Sequence, residues 1–171
     1  MLNGKNICLR ALEPEDIDLL FKWENDCEIW HLSNTLVPFS RKVLKEYVAQ
    51  AHLDIYTTKQ LRLIICLVDG RAIGCIDLFD FDPRNLRAGV GILIADKAER
   101  KKGYASESLK ILKKYCKEKL NLHQLFCHIT TDNKDSIKLF EKQGFLKSGI
   151  KIDWQRNSKG YVDEQFLQCI L

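Results

Sequence analysis

A chain of 171 residues with 46% apolar and 29% charged side chains has the composition of an ordinary globular protein and is long enough to bury a core. No apolar run approaches the roughly 20 residues of a membrane helix, and residues 1–18 hold no apolar segment long enough for a signal peptide, so a cytoplasmic protein without a membrane partner is expected. The net charge of +4 is unevenly spread: through residue 82 there are thirteen acidic against nine basic side chains, and beyond it eighteen basic against ten acidic. Such a division suits a protein that binds a cation with one part and an anion with the other.

NICLRAL (6–12) alternates as a first strand. EPEDIDLLFKWEND (13–26) follows as a helix, with Pro14 at its first position, acid in its first turn, and Ile17, Leu20, Phe21 and Trp23 on one face. After an irregular piece (27–39), SRKVLKEYVAQAH reads as a helix capped by Ser40, with Val43, Leu44, Tyr47, Val48 and Ala51 inward. QLRLIICLV and RAIGCIDLFDF flank Asp69-Gly70, a hairpin signal. DPRNLR connects to RAGVGILIA, apolar enough after Arg87 to be buried on both faces. The helix SESLKILKKYCKEKL has apolar residues at helical spacing and lysines opposite. A strand (HQLFCHITT) and a capped helix closing at Gly144 come next, and two strands around RNSKG (156–160) end the chain. The order β-α-α-β-β-β-α-β-α-β-β predicts an α/β (α+β) domain over residues 1–171: a mixed, mostly antiparallel sheet of about seven strands with helices on both faces.

The seven cysteines make no C-x-x-C, and Cys8, Cys66, Cys75, Cys127 and Cys169 lie in strand-like runs, as reduced core residues do. The four histidines have no ligand spacing, so no metal is expected.

ADKAERKKGYASESL (95–109) is the informative stretch. A buried strand runs into a basic loop and then a helix whose first backbone N–H groups lack internal partners and carry the positive end of the dipole. Gly103 and Ala105 let an oxygen approach the main chain, and Arg100, Lys101 and Lys102 add charge, as a pyrophosphate cradle requires. No G-x-x-x-x-G-K-[ST] occurs. Gly89-Val90-Gly91 is followed by Ile92-Leu93-Ile94 rather than by a dinucleotide fingerprint, so these glycines mark a bulge or a close backbone approach.

Arg100-Lys101-Lys102-Gly103-Tyr104-Ala105 resembles the R/Q-x-x-G-x-G/A loop of the GNAT acetyltransferases. Asn133-x-x-Ser136, at the start of a helix ending in EKQGF, is a second match. The resemblance implies the GNAT fold with a splayed central strand pair and acetyl-CoA as donor. It implies a diphosphate on the amides of Arg100 to Ser106, a pantetheine arm paired along Gly91 to Ile94 (Ile92, Leu93 and Ile94 chiefly), and Asn133 and Ser136 beside that arm. The amine would attack the thioester directly, with a backbone N–H near Leu93 for the developing oxyanion and a carboxylate as base. Asp77 and Asp80 are the candidates, placed on opposite faces by alternation; each could equally be a solvent-facing residue. Where relatives carry a tyrosine as acid, the stretch here has Phe140, which donates no proton.

The segments WEND, GCIDLFDFDPRNLRAGVGILI and WQRNSKGYVDEQFLQCIL resemble the polyamine-acetylating members most. A polycation needs carboxylates, and Glu24, Asp26 and Glu28 with Asp77, Asp80 and Asp82 could supply them, or the first three could be a polar helix end. The expected partner is a small-molecule amine, spermidine first. The alternatives are a protein N-terminus, as in ribosomal-protein acetyltransferases, or a CoA-binding protein without activity. A nucleic-acid partner is not expected, because Lys110, Lys113, Lys114 and Lys117 lie opposite the apolar face of their helix as solvated lysines do. A homo-oligomer through the terminal strands is possible with Trp154, Tyr161 and Phe166, which could equally serve a core.

Overall fold

The computed structural model describes residues 1–33, 35–157 and 160–171, and the side chains of these except His31 and Leu32. The expected turn over residues 156–160 includes Ser158 and Lys159, which lie outside the described residues.

The described strands are β1 (Leu2–Asn3), β2 (Ile7–Arg10), β3 (Leu61–Leu67), β4 (Ala72–Asp82), β5 (Arg87–Ile94), β6 (Gln124–Thr130), β7 (Leu146–Asn157) and β8 (Gly160–Ile170). They form one sheet in the order β1-β2-β3-β4-β5-β6-β8-β7, antiparallel except where β5 meets β6. The sheet thus has eight strands rather than seven. The addition is the two-residue β1, too short to carry any periodicity.

The described helices are α1 (Ile17–Glu24), α2 (Trp30–Ser33), α3 (Arg41–Ala49), α4 (Ile55–Thr58), α5 (Tyr104–Glu118) and α6 (Lys134–Lys142). Two apolar clusters lie on the two sides of the sheet. Leu109, Leu112 and Cys116 of α5 and Ile137 and Phe140 of α6 pack on Ile76, Leu78, Val90, Leu125 and Cys127. Leu20 and Trp23 of α1 with Leu44 and Val48 of α3 pack on Ile64, Cys66 and Cys75. Alternation explains the division: Leu125, Cys127 and Ile129 of β6 are buried, while Phe126, His128 and Thr130 face the other way, half-buried.

Local departures from the sequence reading have local causes. The first helix opens with a 3-10 turn (Pro14–Asp16), and Asp16 serves less as a dipole partner than as the bidentate acceptor of Arg10, at 2.6 and 2.7 Å. Burial works against the Asp16 charge, but the bonds from Arg10 and from the Glu13 N–H overcome it and hold the carboxyl below its ordinary value. Val43, expected inward, is 48% exposed; it stands on the flank of α3, where Leu44 and Val48 take the core positions. Ser40 caps α3 as expected, accepting from the Val43 N–H at 3.2 Å. Gly70, at φ +88°, turns the β3–β4 hairpin. All seven cysteines are free, and Cys66, Cys75, Cys116, Cys127 and Cys169 are buried; burial pushes the Cys116 and Cys127 thiols up to about 12.

The feature that positions the site is where β5 stops pairing. Arg87, Ala88 and Gly89 pair with Gln124, Leu125 and Phe126, and no β5–β6 register continues beyond Gly89, while β5 stays paired with β4 through Ile94. Accordingly Ala88 to Val90 are buried, but Gly91 to Ile94 are only half-buried, not covered on both faces as the apolar run predicted. Gly89 answers to a close approach and not to a bulge in its own strand: a Cβ there would sit 2.3 Å from the Phe79 ring. The bulge is across the ladder in β4, between Phe79 and Asp82, with Asp80 at φ +47°.

Candidate functional site

The gap between β5 and β6 opens into two cavities that share Ile29, Ile92 and Leu93. One, of about 850 Å³, lies between the starts of α5 and α6. It is lined by Ile94, Arg100, Lys101, Gly103, Tyr104, Ala105, Ser106, Asn133 and Ser136, among others. The other, of about 530 Å³, lies on the α1 side, against Glu24, Arg62, Cys75, Asp77, Phe79, His128, Lys151, Trp154, Gln155 and Glu164.

In the larger cavity the main chain dominates. Gly103 is the N-cap of α5 at φ +91°, after Lys101 at φ +62°, and this left-handed pair turns the chain so that the first amides of a 15-residue helix face the cleft. No atom lies within 4 Å of where a Gly103 Cβ would be, so the glycine is required by its backbone angle and the space beside it is open. Arg100 does not reach into the cleft as a free cation: its Nε donates to the Ile94 carbonyl at 2.9 Å, tying the loop to the strand. Lys102 is turned away and does not line the cavity. It binds Glu99 at 2.8 Å, and Arg71 binds the same carboxylate at 2.9 Å. Those two bonds, Lys102 first, hold the Glu99 carboxyl below its usual range, so Glu99 is an anionic post that anchors the loop from beneath.

Asn133 caps α6, accepting from the Ser136 N–H at 3.2 Å. Gln143 was not legible as a site residue. It is buried, it donates from Nε2 to Ser106 Oγ at 2.7 Å, and its main-chain carbonyl accepts from Lys113 at 2.6 Å, joining the end of α6 to α5. The loop, the helix dipole and the open space at Gly103 fit a diphosphate. Along β5 the ladder decides which amides stay free. Ala95 donates to Ile73 and Leu93 is paired with Cys75, so the alternation turns the N–H of Leu93 toward β4 and those of Ile92 and Ile94 toward the gap. Leu93's own N–H is therefore turned to β4, and the groups near it that face the gap, where an oxyanion donor was expected, are those of Ile92 and Ile94.

The smaller cavity is built from side chains. Arg62 of β3 binds Asp77 of β4 through Nε and Nη2, at 2.8 and 3.0 Å, and Glu24 at the end of α1 through Nη1. The two carboxylates raise the guanidinium's pKa despite its burial, so it remains charged. On the opposite wall Glu164 of β8, 5% exposed, accepts from Lys151 of β7 at 2.7 Å and from Gln155 at 2.8 Å, and lies 3.3 Å from Nδ1 of His128. Three carboxylates thus meet two fixed cations. Beneath them burial, with Asp77 nearby, pushes the Cys75 thiol far up, so it stays protonated.

The remaining acidic candidates lie elsewhere. Asp26 does not line the cavity and accepts from the Glu28 N–H at 3.0 Å. Glu28 borders the larger cleft, paired with Lys97. Asp82 organises the β4–β5 turn, accepting from Arg84, Asn85 and Arg87. Asp80 is exposed, and the bulge displaces it from the alternation that would have put it opposite Asp77: Phe81, next along, rejoins Ile76 and Leu78 in the core. Arg62, His128, Lys151 and Glu164 were missed. The available signal was, for Arg62, a lone charge within the apolar run LRLIICLV, which a buried strand tolerates only with a partner; Glu164, beside Asp163 in YVDEQFLQCIL, gave no such signal. Phe140 is 3% exposed and packs edge-on against Phe145 at 4.9 Å, a core residue as well as a poor proton donor.

Residues 6–146 match a family model described as an acetyltransferase (GNAT) domain. The chain is 28% identical over 146 residues to the SPbeta prophage-derived uncharacterized N-acetyltransferase YokL of Bacillus subtilis, covering 85% of this chain and 79% of that one. It is 25% identical over 153 residues to the spermidine N(1)-acetyltransferase of Vibrio cholerae, covering 88% and 84%. The crystal structure of spermidine N-acetyltransferase from Vibrio cholerae in complex with CoA and spermine superposes with a TM-score of 0.88 at 23% identity, over 98% of this chain and 96% of that one, which shows a shared fold.

Proposed function

Because the chain belongs to the GNAT acetyltransferase family, we propose that it moves an acetyl group from acetyl-CoA to a primary amine held in the smaller cavity, and that a polyamine such as spermidine is the first acceptor class. The observation that carries this reading is the single gap beyond Gly89. It offers free amides of Ile92 and Ile94 to an amide-containing arm and opens on one side to the α5 loop and on the other to a carboxylate-bearing pocket. The main chain of Gly103 to Ser106 would hold the donor's diphosphate, with Lys101 adding charge, and Asn133 and Ser136 would flank the arm. Bound there, the donor supplies an activated acetyl thioester; this chain orients it and receives the amine.

The spermidine activity of relatives and the carboxylates Glu24, Asp77 and Glu164 support the polyamine. A second reading rests on the pairing of those carboxylates: with Arg62 and Lys151 already on them, the pocket has little spare negative charge, which suits a singly charged protein N-terminus better than a polycation. Incubation with acetyl-CoA and a panel of polyamines, diamines and N-terminal peptides, following free thiol, separates the two. Turnover of spermidine or spermine is the expected result, and turnover of peptides alone replaces it with the second reading.

A further inference from the structure

We propose that His128, oriented by Glu164, is the base that takes the proton from the acceptor's ammonium group. The inference rests on the acetyl-transfer reading and names the residue that reading lacks. An alkylammonium has no lone pair, so a group in the pocket must accept a proton before nitrogen can attack.

His128 stands two residues past Phe126, the last β6 partner of β5, so it lies where the two strands part, and it lines the cavity with Gly91, Ile92 and Leu93. Its ring is packed by Phe126 and Phe166, with centroids at 5.6 and 5.0 Å, which fixes its plane. The charged groups acting on it come from three strands: Lys151 of β7, Glu164 of β8 and Asp80 of β4. Nδ1 is 3.3 Å from both Glu164 Oε1 and Lys151 Nζ, but Lys151 is closer to Glu164, at 2.7 Å. Lys151 donates to the carboxylate, and Nδ1 is within reach of both; a base at Nε2 requires the tautomer with its hydrogen on Nδ1, toward Glu164, which leaves Nε2 its lone pair.

The carboxylate candidates are committed elsewhere. Asp77 has both oxygens on Arg62, and protonating it would strip a buried guanidinium of its partner. Asp80 is exposed and outside the cavity's lining. Burial, then Lys151, hold the His128 pKa below its ordinary 6.5 against the pull of Glu164 and Asp80, so the ring is neutral and ready near pH 7.

The step balances without a tyrosine. The ammonium gives one proton to Nε2, and the freed lone pair forms the C–N bond at the thioester carbonyl. The C–S bond breaks, the nitrogen's second proton goes to the departing thiolate, and the imidazolium releases its proton to solvent. Phe140 then leaves no role unfilled.

The test is the pH dependence of kcat/KM for spermidine or, where it is the better acceptor, a peptide N-terminus. Wild type should show an acid limb of unit slope with a midpoint below 6.5. H128Q should lose that limb and about 10²-fold or more in kcat, with CoA affinity by calorimetry unchanged. NMR titration of the His128 ring, free of substrates, should show its midpoint lower in E164Q and higher in K151M, opposite shifts that a packing role would not produce. Lys151 is 35% exposed, so K151M keeps this readout if E164Q does not fold. A limb that persists in H128Q, or that vanishes in D77N while H128Q keeps it, overturns the assignment. Wild-type protein that binds CoA yet acetylates no primary amine overturns the acetyl-transfer reading itself, and this inference with it.

Discussion

The two cavities flanking β5 are made in different ways. The larger is a backbone structure: a left-handed glycine, a short loop and the first turn of one helix lie within a few consecutive residues, and its side chains mostly brace the loop, as Arg100 does on Ile94 and Lys102 on Glu99. The smaller is a side-chain structure assembled from α1, β3, β4, β6, β7 and β8, whose pairs join residues far apart in the chain: Glu24 with Arg62, Arg62 with Asp77, His128 with Glu164. A backbone site tolerates side-chain replacement but not a change in chain path. A site of paired charges fails when either partner of a pair is lost.

Substitution separates the two most sharply at the glycine. G103E puts a β-carbon at φ +91° and a carboxylate where phosphate oxygens would lie, so CoA affinity should fall by about 100-fold or more, while the melting curve stays cooperative because the Cβ position is open. Lys102→Ala, by contrast, should leave donor affinity within about threefold, because its charge is spent on Glu99. Calorimetry reads both, and equal losses would erase the distinction between path and side chain.

On the other side, R62A leaves Glu24 and Asp77 partly buried and unpaired. It should cost about 3 kcal/mol in denaturant unfolding and reduce acetyl transfer without changing CoA affinity. A stable R62A with full activity would show that the pocket does not depend on its pairings.

Away from both cavities, D16N removes a carboxylate held low by Arg10 and by the Glu13 N–H. A group whose folded pKa is depressed contributes stability above its unfolded value of 3.8 and loses it as pH falls through the folded value. Wild type should therefore exceed D16N by about 2 kcal/mol at pH 7, and the two should converge in acid below 3.8. V43K, at a flank position 48% exposed, should change stability by less than about 0.5 kcal/mol; a larger loss would restore the inward placement that helical spacing suggested.

The same contrast governs what the sequence alone could yield. The strand–loop–helix of residues 95–109, the Ser40 cap and the Asp69-Gly70 turn are local, so residue type and spacing were enough to read them. The smaller cavity was not. Alternation in GCIDLFDFD separates Asp77 from Asp80 but does not show that Asp77 pairs with Arg62, or that a bulge at a non-glycine residue beyond it sends Asp80 to the surface and Asp82 into a turn. Nothing in HQLFCHITT says that His128 meets Glu164, because that contact depends on β8 pairing beside β6. Apolar runs show that a strand is buried, but not where its neighbour departs from it, and the half-burial of Gly91 to Ile94 came from that departure.

The most direct measurement is a crystal structure with coenzyme A bound. The account predicts the diphosphate on the amides of Gly103 to Ser106, the arm paired with Ile92 and Ile94, and the sulfur at the gap facing His128. A diphosphate bound elsewhere, or an arm that leaves the gap before reaching Leu93, would contradict it.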